Sequence, residues 1–121
     1  MAEEITVSMA VEVSKDGIKD SLSHIGVSVD MSGGDMTHKT QIVGTSEEQL
    51  VFGEITTPGW FLAINRDTTN FVELRAATGV ADLVRLNAGE GCLFRLAADA
   101  TAPFAIADTA NCVLEYLLIE S

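Results

Sequence analysis

Apolar and polar residues alternate with a period of two along much of this chain. Ile5, Val7, Met9, Val11 and Val13 are separated by Thr6, Ser8, Ala10 and Glu12. That is the pattern of a strand with one covered and one wet face. Ile25, Val27, Val29 and Met31 alternate with His24, Gly26, Ser28 and Asp30, which predicts a second strand. Between them, Ser14 to Ser21 reads as a turn with Asp16-Gly17 near its centre. The expectation is a hairpin whose loop is longer than two residues. Gly33-Gly34 then marks a flexible connection. Thr37 to Thr45 is rich in β-branched residues and reads as an edge strand. Ser46 to Gln49 has the look of a helix N-cap, but no long apolar run follows it. Leu50 to Ile55 reads as a short strand broken by Gly53.

From Thr56 onward, short strands and turn signals follow one another closely. Trp60 to Asn65 follows a Pro58-Gly59 turn; Arg66 to Thr69 is a turn, and Asn70 to Ala76 is the returning strand. Leu83 to Leu86 and Cys92 to Ala97 flank the turn Asn87 to Gly91, and Thr78 to Leu86 has room for one helical turn. Pro103 to Asp108 is a further short strand. Cys112 to Glu120 is the most apolar segment, with the length of a central strand buried on both faces. Nine or ten strands with no amphipathic helix between them predict an all-β fold, an antiparallel β-sandwich or jelly-roll-like arrangement with an N-terminal hairpin or arm. Within what reads as one domain overall, residues 1–52 form the N-terminal strands and an oligomerisation arm, and 53–121 the sandwich portion. An N-terminal strand left uncovered would expose an apolar strip that needs a partner chain, so Ile5, Val7, Met9, Val11 and Val13 are the candidate interface. The polar run Thr37 to Gln41 is a second segment placed to reach a neighbour.

Composition narrows the function classes. With 121 residues, 47% of them hydrophobic, the chain has material for a core, and disorder is not expected. The formal net charge is −11, from 18 Asp and Glu against 7 Lys and Arg. Binding to nucleic acid or to anionic lipid needs clustered cations, so neither is expected as a partner. No apolar run approaches a membrane span, and MAEEITVSM lacks the basic region of a secretory signal. Synthesis in a reducing cytoplasm is expected. Cys92 and Cys112 lie in apolar segments and read as buried free thiols, with a disulfide between neighbouring strands as the alternative.

The search for chemistry is mostly negative. There is no G-x-S-x-G, C-x₂-C, H-E-x-x-H or phosphate-binding glycine loop. His24 and His38 are not adjacent to either cysteine and read as surface imidazoles. Asp30 and Asp35 flank a glycine pair, yet their spacing does not match a calcium loop, and solvated turn aspartates are the plainer reading. Glu54, Glu73, Asp82, Glu90 and Glu115 are too ordinary in so acidic a chain to signal paired-carboxylate chemistry. No catalytic residue, metal or cofactor is implied. Trp60 and Phe61 read as core or subunit interface, with stacking on a sugar as the alternative.

Residues 55 to 121 nevertheless carry a pattern of strands and turns. Thr57-Pro58-Gly59 precedes a strand ending near Asn65 and Asp67, followed by Thr69-Asn70-Phe71-Val72. Leu86, Gly89 and Glu90 form the next turn, Arg95-Leu96 follow, and Leu114-Glu115-Tyr116 lie in the closing strand. This pattern resembles small virion structural proteins of tailed bacteriophages; the resemblance does not extend to the first 50 residues. It implies a β-sandwich that is part of the particle, with no chemistry to transfer. Together with the acidity, it leads to the expectation of a non-enzymatic capsid decoration or cement protein. Such a protein would be a homo-oligomer, a trimer, bound to the major capsid protein on the outside of the virion. A tail or baseplate accessory and a carbohydrate-binding receptor module are the rival expectations.

Overall fold

Asp16 and Gly17 both adopt positive φ, 48° and 84°. This is the signature of a two-residue type I′ turn, whose twist matches that of the strands it joins. In the computed structural model, which describes residues 3–120, the turn links β1 (Ile5–Lys15) to β2 (Ile18–Val29), and Lys15 faces Ile18 across it. The loop is therefore two residues long, not the longer loop expected. Lys19, Asp20 and Ser21 belong to β2. The register shifts once, where Ile25 and Gly26 oppose Ser8. Gly26 takes φ 71° there and donates its N–H to Ser8 Oγ at 3.0 Å. A single bulge of this kind turns the ribbon without flipping its faces beyond it.

Residues 1–32 form one compact unit and 33–121 another. The division lies at the Gly33-Gly34 connection rather than at 52/53. The strands of 36–49 belong to the sheets of the second unit, and Leu50 and Phe52 to its core.

The second unit contains β3 (Met36–Val43), β4 (Glu48–Gln49), β5 (Pro58–Asn65), β6 (Val72–Arg75), β7 (Val84–Leu86), β8 (Gly91–Arg95), β9 (Phe104–Ala107) and β10 (Cys112–Glu120). Each strand pairs, antiparallel, with the one equally far from the β6–β7 connection: β6 with β7, β5 with β8, β4 with β9, β3 with β10. The unit is thus one long hairpin rolled up into two four-stranded sheets, ordered β3-β10-β5-β8 and β4-β9-β6-β7. That nested order is a jelly roll. Val43, Phe61, Leu114, Tyr116 and Leu118 from the first sheet share one core with Val72, Leu74, Leu86, Ala105 and Ala107 from the second.

Rolling up requires most connections to cross between sheets, which corrects several local expectations. Arg66 to Thr69 does not return the chain beside β5; it carries it to the other sheet, where β6 pairs with β7 and β9. Leu50 to Ile55 is not a strand, although Leu50, Phe52 and Ile55 are buried. Ser46 to Gln49 and Thr78 to Leu86 form no helix. β10 is central, as its length suggested, but only the Cys112, Leu114, Tyr116, Leu118 side is fully buried.

Two polar side chains hold the crossings. Asn65 is completely buried at the end of β5; its Nδ2 donates to the carbonyls of Asn70 and Leu86, both at 2.9 Å, and its Oδ1 accepts the Asp67 N–H at 3.0 Å. Asp67 in turn accepts the N–H groups of Thr69 and Asn70, and these hydrogen bonds hold its carboxyl below the usual range. Tyr116 Oη donates to Gln41 Oε1 at 2.7 Å and accepts the Val51 N–H at 2.9 Å, tying β10 to the irregular segment after β4.

Candidate interaction surfaces

The hairpin has two unlike sides. Because β1 contains no extra residue, Ile5, Val7, Met9, Val11 and Val13 share one side. Across from them lie Val29, Val27, His24, Leu22 and Asp20. The other side carries Ala10, Glu12 and Ser14 opposite Ser23, Ser21 and Lys19. At the base, Ile5 and Val7 are buried. Beyond the bulge the apolar side opens to solvent: Val11 is 71% exposed and Leu22, directly opposite, 80%, with Val13 and Ile18 also exposed. Met9 is half-buried. The candidate interface residues thus divide into a covered pair and an uncovered set. Ile18, inside the segment Ser14 to Ser21 that reads as a turn, and Leu22, just after it, join that set.

The jelly roll also has two unlike outer faces. Outside the β4-β9-β6-β7 sheet, charges are paired. Arg85 meets Glu73 at 3.0 Å and lies 3.7 Å from the Phe71 ring centroid; Arg75 meets Glu47 at 2.9 Å and Asp82 at 2.7 Å, and its pKa is raised chiefly by the Asp82 hydrogen bond. Outside the β3-β10-β5-β8 sheet the surface is mostly apolar. The register puts Trp60, Leu62 and Ile64 of β5 on this side. Beside them lie Leu93 of β8, Val113, Leu117 and Ile119 of β10, and Met36 and Ile42 of β3. Met36, Ile42 and Val113 are exposed and the others half-buried. Among the described residues of these four strands, Glu115 is the one acid on this side. It accepts from Arg66 at 2.7 Å and contacts His38 Nε2 at 2.6 Å. The His38 hydrogen bond, and then Arg66, hold its carboxyl below the usual range.

Trp60 and Phe61 are consecutive in β5 and so point to opposite faces. Phe61 is completely buried, with ring centroids of Phe52, Phe94 and Tyr116 at 5.5–6.0 Å, so it offers no face to a ligand. Trp60 is half-buried on the outer side, and the Arg95 guanidinium lies 5.5 Å from its ring. Its buried Nε1–H has no hydrogen-bond partner among the described residues. A joint stacking platform is therefore not assembled.

Cys92 and Cys112 are free thiols, both with pKa raised chiefly by burial. They lie on β8 and β10, with β5 between. Two strand spacings of about 4.8 Å exceed the roughly 7 Å over which Cα atoms can be bridged, so the neighbouring-strand disulfide does not arise. Among the described residues neither thiol is hydrogen-bonded to a histidine; Cys112 Sγ contacts the carbonyls of Asn70, Phe71 and Ala110. Among the described residues no cluster of three His, Cys, Asp or Glu side chains is placed to hold a metal ion. Asp30 accepts the Glu3 N–H within the hairpin unit, and the Asp35 carbonyl accepts the Glu120 N–H in the jelly roll. An apolar cleft of about 330 Å³ opens where the edge strands β7 and β8 leave the two sheets, lined by Leu74, Leu83, Val84, Phe94, Leu96 and Pro103 among others. Its walls come from strands of different sheets, so no local pattern along the chain marks it.

No family model, curated protein or solved structure matches this chain.

Proposed function

We propose that this chain is a non-enzymatic structural protein of a tailed-bacteriophage particle. It assembles as a homotrimer and binds the major capsid protein on the outside of the head, as a decoration or cement protein made in the host cytoplasm. The observation that carries the reading is the hairpin unit. A two-stranded ribbon is marginal by itself in water, and here Val11, Val13, Ile18 and Leu22 are left exposed on one side. Such a ribbon gains its stability by being covered, and a symmetric assembly of copies supplies the cover. Weak contacts of this kind add up when several copies engage a lattice at once. The acidity suits an exterior position, because a chain of net charge −11 would be repelled by packaged DNA. The jelly-roll order adds support by analogy only, since viral capsid domains and lectins both use it.

The test is cosedimentation with heads lacking the protein, followed by image reconstruction. The intact chain is expected to pellet with heads and appear as density on their outer surface. A chain lacking residues 1–14 is expected to stay in the supernatant. Density at the tail, or binding unaffected by the deletion, would overturn the capsid-cement reading.

A further inference from the structure

The cleft between the edge strands β7 and β8 belongs wholly to the jelly roll, since all of its lining residues fall between Leu74 and Pro103. Small side chains account for it. Facing sheets lie about 10 Å apart, and large inward side chains normally fill the gap to crystal-like density. Here the connection after β6 brings Ala76 to the cleft, and the crossing from β8 to β9 brings Ala100 and Thr101. The side chains leave about 330 Å³ between them. The walls grade from covered to open. Leu74 is 2% exposed and Pro103 is buried; Val84, Phe94 and Leu96 are half-buried. Leu83, at 83%, is the most exposed of the large apolar side chains described.

Hydrogen bonds hold the mouth in place and decide which charge a ligand meets there. Arg75 is engaged by Glu47 at 2.9 Å and by Asp82 at 2.7 Å, and Glu47 also accepts the Gly79 N–H at 3.4 Å. The connection from Ala76 to Leu83 is thereby tied to the start of β4. On the other side the Ala100 N–H donates to the Ala97 carbonyl at 3.0 Å, closing the turn that carries Asp99. Arg75 is the one cation among the lining residues, and two carboxylates already share it. The Asp99 carboxylate lines the mouth and makes no hydrogen bond or ion pair among the described residues. An anionic ligand would thus find no uncommitted cation, whereas a cationic one finds an uncommitted carboxylate. Size narrows the class further. A cavity of about 150 Å³ lined by aliphatic and aromatic side chains accepts a benzene ring. The cleft has about twice that volume, room for a ring and a short chain.

We propose that this cleft is a binding site for a small organic cation, an aromatic ring on a short chain that ends in an ammonium group. The ring lies against Leu74, Val84, Phe94 and Leu96, and the ammonium meets the Asp99 carboxylate at the mouth. Phe94 already packs against Phe61 inside the core, with centroids 5.5 Å apart, so a ligand ring extends an existing aromatic cluster. Apolar walls offer water few partners, and burial of the ring supplies most of the affinity. The ion pair, at an exposed carboxylate, adds about fivefold at most and sets the preference for a cation. Leu83 is covered by the ligand, which accounts for an apolar side chain so exposed at the rim of a cleft. The site lies within the jelly roll and does not rest on the assembly reading.

Three probes of one shape test it: 3-phenylpropylamine, 3-phenylpropanol and 3-phenylpropionate, titrated into the full chain labelled with ¹⁵N, with backbone amide shifts as the readout. The amine is expected to shift the amides of Leu74, Leu83, Val84, Leu96 and Ala100 saturably. It should bind about two- to fivefold more tightly than the alcohol, with the carboxylate weakest. Asp99→Asn removes one of 18 acids. It is expected to abolish the advantage of the amine and leave the alcohol unchanged. An advantage that survives in Asp99→Asn comes from the overall charge of the chain and overturns the proposal. Ala100→Phe fills the cleft and is expected to abolish binding of amine and alcohol alike. Should it fail to fold, Leu83→Ala alters a side chain that is 83% exposed and keeps the fold; it is expected to weaken both probes about threefold. No saturable shift at the cleft, or affinities unchanged in these two variants, contradicts the site.

Discussion

β1 and β10 each carry a row of apolar side chains at every second position, in opposite surroundings. Cys112, Leu114, Tyr116 and Leu118 are all buried, because a second sheet lies over them. Met9 is half-covered and Val11 and Val13 are exposed, although their spacing is identical. A period of two establishes that a segment is a strand with one apolar side. It does not establish that the same chain supplies the cover. In the jelly roll the nested pairing brings every alternating strand against a partner sheet. The ribbon has one partner strand and no second layer within its unit. The difference between them supports the proposal that the hairpin makes contacts between chains.

The sharpest way to break that comparison is to truncate one side chain in each region. Phe61→Ala removes a fully buried ring from the centre of the core and is expected to cost about 3–5 kcal/mol. Val11→Ala is expected to change the stability of the jelly roll by less than about 0.5 kcal/mol, while weakening assembly. Urea unfolding at a concentration too low for assembly measures both, and comparable losses would contradict the distinction.

Asn65→Ala comes next. It leaves the Asn70 and Leu86 carbonyls and the Asp67 N–H without their partner, at a cost of about 2–4 kcal/mol for buried groups of this kind. The loss should fall wholly on the jelly-roll transition. Tyr116→Phe is milder, about 1–2 kcal/mol, because only the hydroxyl contacts with Gln41 and Val51 are lost. Both are read from the same denaturation curves.

The smallest effect is in acid. Asp67 and Glu115 have carboxyl pKa values below their unfolded ones. Their contributions are present above the ordinary carboxylate range near pH 4 and are lost as pH falls through their lower folded values. Melting temperature should drop on acidification below about pH 4. The drop should be smaller in Asp67→Asn and in Glu115→Gln; equal drops in the variants and the unmodified chain would remove these two carboxyls from the account.

Much of the jelly roll was legible locally. Alternation located β1 and the second half of β2, short apolar segments between turn signals located β5, β9 and β10, and the β-branched run located β3 as an edge. What was hidden is explained by the same physics. The first half of β2 was missed because Lys19, Asp20 and Ser21 carry no apolar alternation; the Asp16-Gly17 dipeptide was the better signal, since positive φ at both positions demands a two-residue turn. Arg66 to Thr69 looked like a hairpin turn because turn chemistry says that a chain reverses, not which sheet it enters. Asn65 and Asp67 were noted as part of a pattern, but their work, fixing that crossing, depends on Leu86, which is far away in sequence. The apolar outer face escaped notice because β10 reads as apolar throughout. The burial of one side and half-exposure of the other appear only once its neighbours β3 and β5 are in place.

The central proposal is that the chain associates with its own copies through the exposed apolar residues of its hairpin, Val11, Val13, Ile18 and Leu22. Sedimentation equilibrium of the unmodified chain over a broad concentration range tests it most directly. The account predicts a species of about three times 12.9 kDa that dissociates only on dilution. A single mass of 12.9 kDa persisting to the highest concentration would contradict it.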